Sequence, residues 1–314
     1  MKSSFTFRSI FVLGAALAVS GMADTAQTRI RSFAIPTPES QPISIIQGPD
    51  GNLWFVEQNA SNVARITPNG EITEYRTPTF SFPLDITAGP DGNVWFSEGA
   101  VGQIAFITPS GHIEEIPFSS SGAAGGIVTG PDGNIWFTDL IGNSVWRLDL
   151  ATRVLTSFPV PTPDAFPSDI TVGSDGNLWF VEGVGKIGRI TPQGVITEFG
   201  SGLSLPFSIA TGPDGNVWFT ERFVPEIGKL TPDGDFTFYP IPVGAEEIAP
   251  GYADNLIYTE FGNSKIAKIT TDGVVTESPV IPDALPTGIT VGPDHTIWFL
   301  GYGNNKVYRA TFSR

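Results

Sequence analysis

The chain has 314 residues, of which 17 are Lys or Arg and 32 are Asp or Glu, so its formal net charge is −15. A chain this acidic has no electrostatic reason to bind nucleic acid or an anionic membrane surface, and we expect neither partner. It contains no Cys, which excludes a disulfide framework and a lipid-anchored N-terminal Cys.

The first 23 residues have the features of a signal peptide. Lys2 and Arg8 precede an apolar run at 10–19 that is too short to span a bilayer, and small residues allow cleavage after Ala18 or Ala23. Removing residues 1–23 takes away two positive charges and no negative ones, which gives −15 − 2 = −17. We predict a secreted protein, extracellular or periplasmic, in which residues 24–314 form a single domain.

A ten-residue pattern recurs through the rest of the chain. It reads Gly-Pro-Asp-Gly-Asn-Leu-Trp-Phe-Val-Glu at 48–57 and returns, with changes, from residues 89, 130, 173, 212, 251 and 292. Its Trp position falls at 54, 95, 136, 179, 218, 257 and 298, so the steps are 41, 41, 43, 39, 39 and 41 residues. A repeat of about 40–45 residues with strand-like content is typical of a β-propeller. The seven copies predict an all-β, seven-bladed propeller.

Each repeat predicts four strands, A to D, in chain order. Strand A is short and apolar, strand B contains the Trp, strand C follows a loop as at 63–67, and strand D follows a Pro-x-Gly turn as at 72–75. Pro and Gly in the A–B turn suit a type I turn followed by a left-handed residue. Asp254 and His295 replace this Gly in the last two copies, and we expect both to adopt a positive φ. We predict no helix in residues 24–314.

The last repeat ends after its strand C, at Arg314. The segment 30–36 near the N-terminus reads like the strand D segments at 72–75 and 155–161. We therefore predict that this N-terminal strand completes the last blade and removes an exposed sheet edge. This connectivity places the D–A and B–C loops on one face, called the top, and the A–B and C–D turns on the other, called the bottom.

The repeat is similar to that of a known family. The segments Ile-Thr-x-Gly-Pro-Asp-Gly-Asn-Leu-Trp-Phe-x-Glu, Lys-Ile-Gly-Arg-Ile-Thr and Ile-Thr-Glu-Phe resemble those of the virginiamycin B lyase (streptogramin lyase) family, over residues 30–314. The resemblance implies a propeller with a cleft on its top face and, in the lyase itself, magnesium-assisted opening of a lactone ring by elimination. Because these motifs belong to the scaffold, they are less specific for the reaction than for the fold.

The positions that the resemblance assigns to catalysis hold other residues here. In the family, a Pro-His pair precedes strand A in the sixth and seventh repeats, and two Glu residues complete the catalytic and metal site. Glu246 and Thr287 stand at the two His positions, and Leu285 and Tyr302 stand at the two Glu positions. This set contains no group with an ordinary pKa near neutral, which a general base requires.

The two His residues of the chain do not fill this gap. His112 lies in a C–D turn and His295 in an A–B turn, so we expect both on the bottom face. We therefore predict no appreciable opening of streptogramin B lactones. The remaining top-face candidates for catalysis are Glu246, Glu247 and Tyr302.

Carboxylates end strand B in six repeats, at Glu57, Glu98, Asp139, Glu182, Glu221 and Glu260. They could form a binding rim at the top, or they could pair within each blade with the strand C cations Arg65, Arg147, Arg189, Lys229 and Lys268. We favour the ion pairs, because nearly every repeat contains both partners. Glu98 faces Phe106 and Arg309 faces Gly301 in this alignment, so these two lack such a partner and are candidates for substrate binding.

A second group of carboxylates, Asp85, Asp169, Glu246 and Glu247, precedes strand A near the predicted channel. Such groups repel one another unless a cation intervenes, although Asp85 and Asp169 could instead bond loop N–H groups. In the first interpretation Glu246 faces the channel, Glu247 faces the loop, and Glu246, Asp85 and Asp169 bind magnesium or calcium. Asp85, Asp169 and Thr287 are further candidates for substrate binding, and we expect no organic cofactor.

Two functional hypotheses follow. The first is a lyase-like or lactone-opening enzyme of altered specificity that acts on a small molecule or carbohydrate at the top face. The second is a non-catalytic propeller that binds a ligand or partner through that face. In both cases we expect a monomer.

Overall fold

The computed structural model describes residues 29–119, 121–200 and 202–312. Within these ranges the chain forms 28 β-strands and no helix, and the strands build seven four-stranded antiparallel sheets. The predicted seven-bladed propeller is therefore confirmed. The predicted signal peptide at 1–23 lies outside the described residues. No helix long and apolar enough to cross a membrane is found in the described ranges.

The blades follow one another along the chain. Blade 1 comprises β2 (Pro42–Gln47), β3 (Leu53–Glu57), β4 (Asn62–Ile66) and β5 (Ile72–Arg76). Blade 2 comprises β6 (Pro83–Ala88), β7 (Val94–Glu98), β8 (Gln103–Ile107) and β9 (Ile113–Pro117). Blade 3 comprises β10 (Ala124–Thr129), β11 (Ile135–Asp139), β12 (Ser144–Leu148) and β13 (Leu155–Pro159). Blade 4 comprises β14 (Pro167–Val172), β15 (Leu178–Glu182), β16 (Lys186–Ile190) and β17 (Ile196–Phe199).

The remaining blades complete the ring. Blade 5 comprises β18 (Pro206–Thr211), β19 (Val217–Glu221), β20 (Glu226–Leu230) and β21 (Phe236–Pro240). Blade 6 comprises β22 (Ile248–Pro250), β23 (Asn255–Glu260), β24 (Lys265–Thr270) and β25 (Val275–Glu277). Blade 7 comprises β26 (Pro286–Val291), β27 (Ile297–Gly301), β28 (Lys306–Thr311) and, from the N-terminus, β1 (Arg29–Ala34).

The N-terminal strand closes the ring as the sequence predicted. β1 pairs with β28 along its whole length, from Arg29 opposite Thr311 to Ala34 opposite Lys306. Phe33 stacks on Trp298 with ring centroids 5.7 Å apart, as strand D aromatics stack on the Trp of other blades. The first strands of neighbouring blades contact one another all round the ring, including β2 with β26. Strand A of each blade therefore lines the centre, and the top ends of these strands surround the channel.

In blades 1 to 5 the indole of the repeat Trp donates a hydrogen bond to the Asp of the A–B turn. The six repeat Trp side chains are at most 1% exposed, and the indole of Trp54 donates to Asp50 of the turn at 3.0 Å. Gly51 in this turn has a φ of 78°. His295 has a φ of 59°, as predicted, but the prediction for Asp254 is wrong because the positive φ falls on Ala253. This copy has Tyr252 at the position that Pro holds in five of the other six turns and Ser174 holds in the sixth.

The predicted ion pairs between strands B and C are wrong. Arg65 lies opposite Trp54, whereas Glu57 lies opposite Asn62. The guanidinium of Arg65 is 5.6 Å from the centre of the Trp54 ring and 3.8 Å from Asp50 of the bottom turn. The same arrangement recurs in blades 3, 4 and 5 with Arg147, Arg189 and Lys229. These four cations therefore lie at the bottom turns and not beside the strand B carboxylates, and Lys268 lies opposite Ile257 and not opposite Glu260.

Candidate ligand-binding cavity

A cavity of about 440 Å³ opens among the top-face loops at the centre of the ring. Two positions of the repeat supply most of its walls, namely the start of strand A and the residue that follows strand B. The lining residues from strand A include Ile43, Ser44, Leu84, Asp85, Gly125, Gly126, Ser168, Asp169, Phe207, Ser208, Glu246, Glu247 and Thr287. The residues that follow strand B are Gln58, Leu140, Arg222, Phe261 and Tyr302.

Three carboxyl groups, from Asp85, Asp169 and Glu247, converge in this cavity. Each side chain immediately precedes the first Ile of its strand A, so the repeat places them at equivalent points of the ring. The Asp85 carboxylate accepts bonds from Ser44 Oγ at 2.8 Å and from the Ile127 amide of the next blade at 2.8 Å. Asp169 accepts from the Ile209 amide of the next blade at 2.9 Å. These groups therefore join neighbouring blades as well as lining the cavity.

Burial favours the protonated forms of these three carboxyl groups. Burial raises the pKa of Asp85. It also raises the pKa of Asp169, and the nearby charge of Asp85 adds to this shift. The pKa of Glu247 is raised well above its usual value by burial first, and then by the charges of Asp85 and Asp169. The three groups are therefore close enough to influence one another's ionisation.

The two adjacent glutamates have different partners. The charges of Asp85 and Asp169 raise the pKa of Glu247, whereas the contact of Glu246 with these two groups stays a prediction. Glu246 Oε1 lies 2.7 Å from the guanidinium of Arg222, which comes from the adjacent blade. Both glutamates line the cavity, and Glu246 does so as the partner of Arg222.

Arg222 is held between two partners at the mouth of the cavity. Its guanidinium lies 4.5 Å from the centre of the Phe207 ring and forms the ion pair with Glu246. Its side chain is 40% exposed. Arg222 is thus paired with Glu246, and no Lys or Arg of the described residues forms an ion pair with the three deeper carboxyl groups.

Sequence reasoning missed Arg222, Phe207, Phe261 and Gln58. A signal for three of them exists in the repeat, because Gln58, Arg222 and Phe261 all directly follow the strand B carboxylate, and Tyr302 follows Gly301 at the same position. Two other repeats have Gly at this position, at Gly99 and Gly183. The pairing of Arg222 with Glu246 could not be found this way, since it joins two blades.

Comparison with known proteins identifies the family. The model of the virginiamycin B lyase family matches residues 18–203 and 200–314. The chain belongs to the virginiamycin B lyase family. A streptogramin B lyase structure is 30% identical with a TM-score of 0.86, covering 91% of this chain and 98% of that chain.

Further relatives agree with this membership. A catalytically inactive virginiamycin B lyase from Staphylococcus aureus, with a His replaced by Ala and with quinupristin, is 34% identical. Its TM-score is 0.84, covering 91% of this chain and 99% of that one. A virginiamycin B lyase from Saccharopolyspora erythraea is 40% identical over 55 residues, which is only 18% of the length of each protein. Extracellular domains of hybrid two-component systems from B. thetaiotaomicron share the fold at 13% identity, with TM-scores of 0.71 and 0.68.

Three of the four family catalytic positions, those of Glu246, Thr287 and Tyr302, lie in the cavity wall with other residue types. Thr287 lines the cavity but is 7% exposed, and its hydroxyl donates to the Pro42 carbonyl at 2.8 Å. Tyr302 lines the cavity, with its ring 5.9 Å from that of Phe261. Leu285 is not among the lining residues and has a φ of 45°. His112 and His295 are exposed in C–D and A–B turns, which are bottom-face features.

Two predicted substrate-binding residues lie outside the cavity. Glu98 is fully buried within blade 2, where it accepts a hydrogen bond from Ser81 at 2.8 Å. Arg309 lies opposite Trp298 and pairs with Asp294 of the bottom turn. The sequence alignment placed Glu98 opposite Phe106 and Arg309 opposite Gly301. Both placements are wrong in the same way as in the other blades, because the strand C residue lies opposite the Trp: Phe106 faces Trp95.

The strand B carboxylates are buried inside the blades and do not form a binding rim. All six are at most 2% exposed. Burial raises the pKa of Glu57 to about 8, and it raises the pKa of both Glu98 and Glu182 to about 7. One oxygen of Glu57 and both oxygens of Glu182 have no hydrogen-bond partner among the described residues. The six carboxyl groups therefore lie in the interior of the blades.

The cavity residues do not form a ready metal centre. In the described part of the chain, no three His, Cys, Asp or Glu side chains are gathered so that they could hold a metal ion. The oxygens of Asp85 and Asp169 are already acceptors for backbone amides and Ser44. Binding of magnesium or calcium by Glu246, Asp85 and Asp169 thus remains a prediction.

Proposed function

We propose that this family member binds a small molecule or carbohydrate in its top cavity and cleaves a carbon–oxygen bond of that ligand by elimination. The observation that supports the proposal best is the group of Asp85, Asp169 and Glu247 in a cavity, with the pKa of each raised. Carboxyl groups with raised pKa values in a cleft are common at catalytic sites. The family membership supports the same reaction class.

The proposed elimination uses carboxyl and hydroxyl groups in place of histidine. Glu247, in its ionised form, accepts a proton from the carbon next to the one that bears the leaving oxygen. The electrons of that C–H bond form a carbon–carbon double bond, and the C–O bond breaks with its electrons on oxygen. A protonated Asp169 or the Tyr302 hydroxyl then donates a proton to this oxygen. Glu246 acts through Arg222, which it orients at the mouth.

A non-catalytic binding function is the second candidate. Asp85 and Asp169 accept hydrogen bonds from the next blade, and a role in holding blades together explains their presence without catalysis. In that case the cavity binds the same kind of ligand without changing it. Turnover therefore separates the two candidates, whereas binding does not.

The test uses a panel of lactones, esters and uronate-containing sugars, followed by mass spectrometry. We expect no appreciable opening of quinupristin, because Glu246 and Thr287 stand where the family has histidines. Glu247→Gln should abolish the cleavage of any substrate that the wild type cleaves. The control Glu71→Gln, which changes an exposed carboxylate in a bottom turn, should keep this activity. Cleavage that survives Glu247→Gln would contradict the assignment of the base. Opening of quinupristin at the rate of a working lyase would contradict the altered specificity.

We also propose that the protein is exported and monomeric. The segment 1–23 has the pattern of a signal peptide, and the fold occurs in extracellular domains of bacterial proteins. Expression of the full chain in a bacterial host, followed by fractionation and N-terminal sequencing, tests the first point. A chain that stays in the cytoplasm with Met1 intact would contradict it, and sedimentation tests the second.

A further inference from the structure

We propose that the ligand of the top cavity is an organic cation, an ammonium or amidinium group on an apolar body. This inference rests on the proposed binding function of the cavity and names the chemistry of its ligand. Three features of the structure lead to it: the charge of the cavity floor, the aromatic rings in its wall, and an apolar surface beside its mouth.

The charged residues of the cavity favour a positive ligand. Four carboxyl groups and one guanidinium line it. Arg222 pairs with Glu246 at 2.7 Å, and no Lys or Arg of the described residues forms an ion pair with Asp85, Asp169 or Glu247. A cleft lined by one sign of charge concentrates ligands of the opposite sign. A bound cation would favour the ionised forms of these three groups, against the burial that raises their pKa values, and would pair with them.

The wall supplies surfaces that bind the cation from the side. Phe207, Phe261 and Tyr302 line the cavity, and the rings of Phe261 and Tyr302 are inclined at 60° with centroids 5.9 Å apart. Aromatic faces attract organic ammonium groups through the ring quadrupole, and the attraction is largest where water is excluded. Phe207 already binds one cation, the guanidinium of Arg222, in this way. An inorganic ion would make no use of these rings.

The apolar surface lies in the top loops of blades 2 to 5. We call it the apolar crescent, and it consists of Phe80 (54% exposed), Ile141 (67%), Phe166 (52%), Val184 (44%) and Phe223 (75%). Phe223 follows Arg222, Ile141 follows Leu140, and Phe166 lies two residues before Ser168, so these three adjoin lining residues. Exposed apolar side chains beside a cavity can extend its binding surface. They fit a ligand whose apolar body extends out of the cavity.

The charge of the whole chain agrees with a cationic ligand. The formal net charge is −15, so the electrostatic field of the protein attracts cations and repels anions before they make contact. A neutral apolar ligand would use the crescent and the rings but would leave the floor uncompensated. An anion would meet the three carboxyl groups with only the already paired Arg222 to receive it.

The experiment compares three probes with one apolar body: naphthylethylammonium, naphthylethanol and naphthylacetate. Isothermal titration of the full mature chain should give a dissociation constant about tenfold lower for the cation than for the alcohol, with the anion weakest. Glu247→Gln should remove most of this preference, and Asp85→Asn should reduce it. Glu71→Gln, which changes a bottom-face carboxylate, should retain it.

A second pair of variants tests the apolar crescent. Phe223→Ser should weaken all three probes by a similar factor, because it removes apolar contact without changing charge. Tyr252→Ser, a change at a 53% exposed aromatic of a bottom turn, should leave their affinities unchanged. Circular dichroism confirms that each variant is folded.

Several outcomes overturn the inference. Equal affinity for the three probes, weakened by Phe223→Ser, would show a binding cavity without selection for cations, so the proposed function would stand and the inference would fail. An anion that binds as tightly as the cation would also overturn it. Failure of all three probes to bind overturns it too, while cleavage in the lactone and sugar panel tests the proposed function separately.

Discussion

Trp179 of blade 4 connects three parts of its blade. Trp179 is 1% exposed, donates to Asp175 at 3.1 Å, and stacks on Phe199 with centroids 5.2 Å apart, while Arg189 lies over its ring. We expect Trp179→Ala to lower the free energy of unfolding by about 3–5 kcal/mol, because it leaves a large cavity and an unpaired turn. Denaturant unfolding measures this. Trp146→Ala, at a partly buried strand C position, should cost less, and an equal cost would contradict the argument.

The buried glutamates of the blades predict how stability depends on pH. Burial raises the pKa of Glu57 to about 8 from the value of 4.5 that it has when unfolded. The folded state therefore retains a proton that the unfolded state loses. This contribution to stability is fully present below pH 4.5 and is lost as the pH rises through about 8. We expect Tm to fall between pH 5 and 9.

Glu57→Gln isolates one part of this effect. Gln keeps the shape and can still accept the bond that Asn62 donates at 2.9 Å, but it does not ionise. The variant should lose less Tm than the wild type as the pH rises, and Glu71→Gln should behave as the wild type. A wild-type Tm that increases from pH 5 to 9 would contradict the raised pKa values.

The strands and turns of the fold could be predicted because the turn motif, the Trp position and the apolar segments recur in the same order in each repeat. Asp85, Asp169 and Tyr302 were placed at the cavity for the same reason. The strand C cations were misplaced because hairpin register depends on the length of the B–C loop, and Glu57 pairs with Asn62 rather than with Arg65. Contacts between blades are equally invisible in a single repeat.

The N-terminal strand is the element whose removal tests the closure. β1 supplies the outer strand of blade 7, and its Phe33 stacks on Trp298. A mature chain that lacks residues 24–36 should unfold at a lower temperature and associate, because β28 then has an unpaired edge. Calorimetry and sedimentation measure both effects. The control is a chain that begins at residue 29, and equal behaviour of the two chains would contradict ring closure by β1.

At the scale of the whole molecule, charge repulsion opposes folding. The chain has 32 acidic and 17 basic residues, and Asp85, Asp169 and Glu247 of the cavity form no ion pair with a Lys or Arg of the described residues. Sodium chloride should raise Tm, since the Debye length falls from about 30 Å at about 0.01 M to about 8 Å at about 0.15 M. A Tm that falls with salt would mean that the nine ion pairs of the described residues contribute more than the repulsion.

Comparison of ions at equal ionic strength separates screening from binding. If magnesium or calcium binds among the carboxyl groups, it should raise Tm more than sodium does, because it binds the folded state alone. The stabilisation from a bound ion reaches about 2.7 kcal/mol at a hundredfold excess over its dissociation constant. Glu247→Gln should then remove the surplus, because its carboxylate interacts with both Asp85 and Asp169. Equal effects of sodium, magnesium and calcium would contradict the metal prediction and leave the organic cation as the ligand that the acidic floor selects.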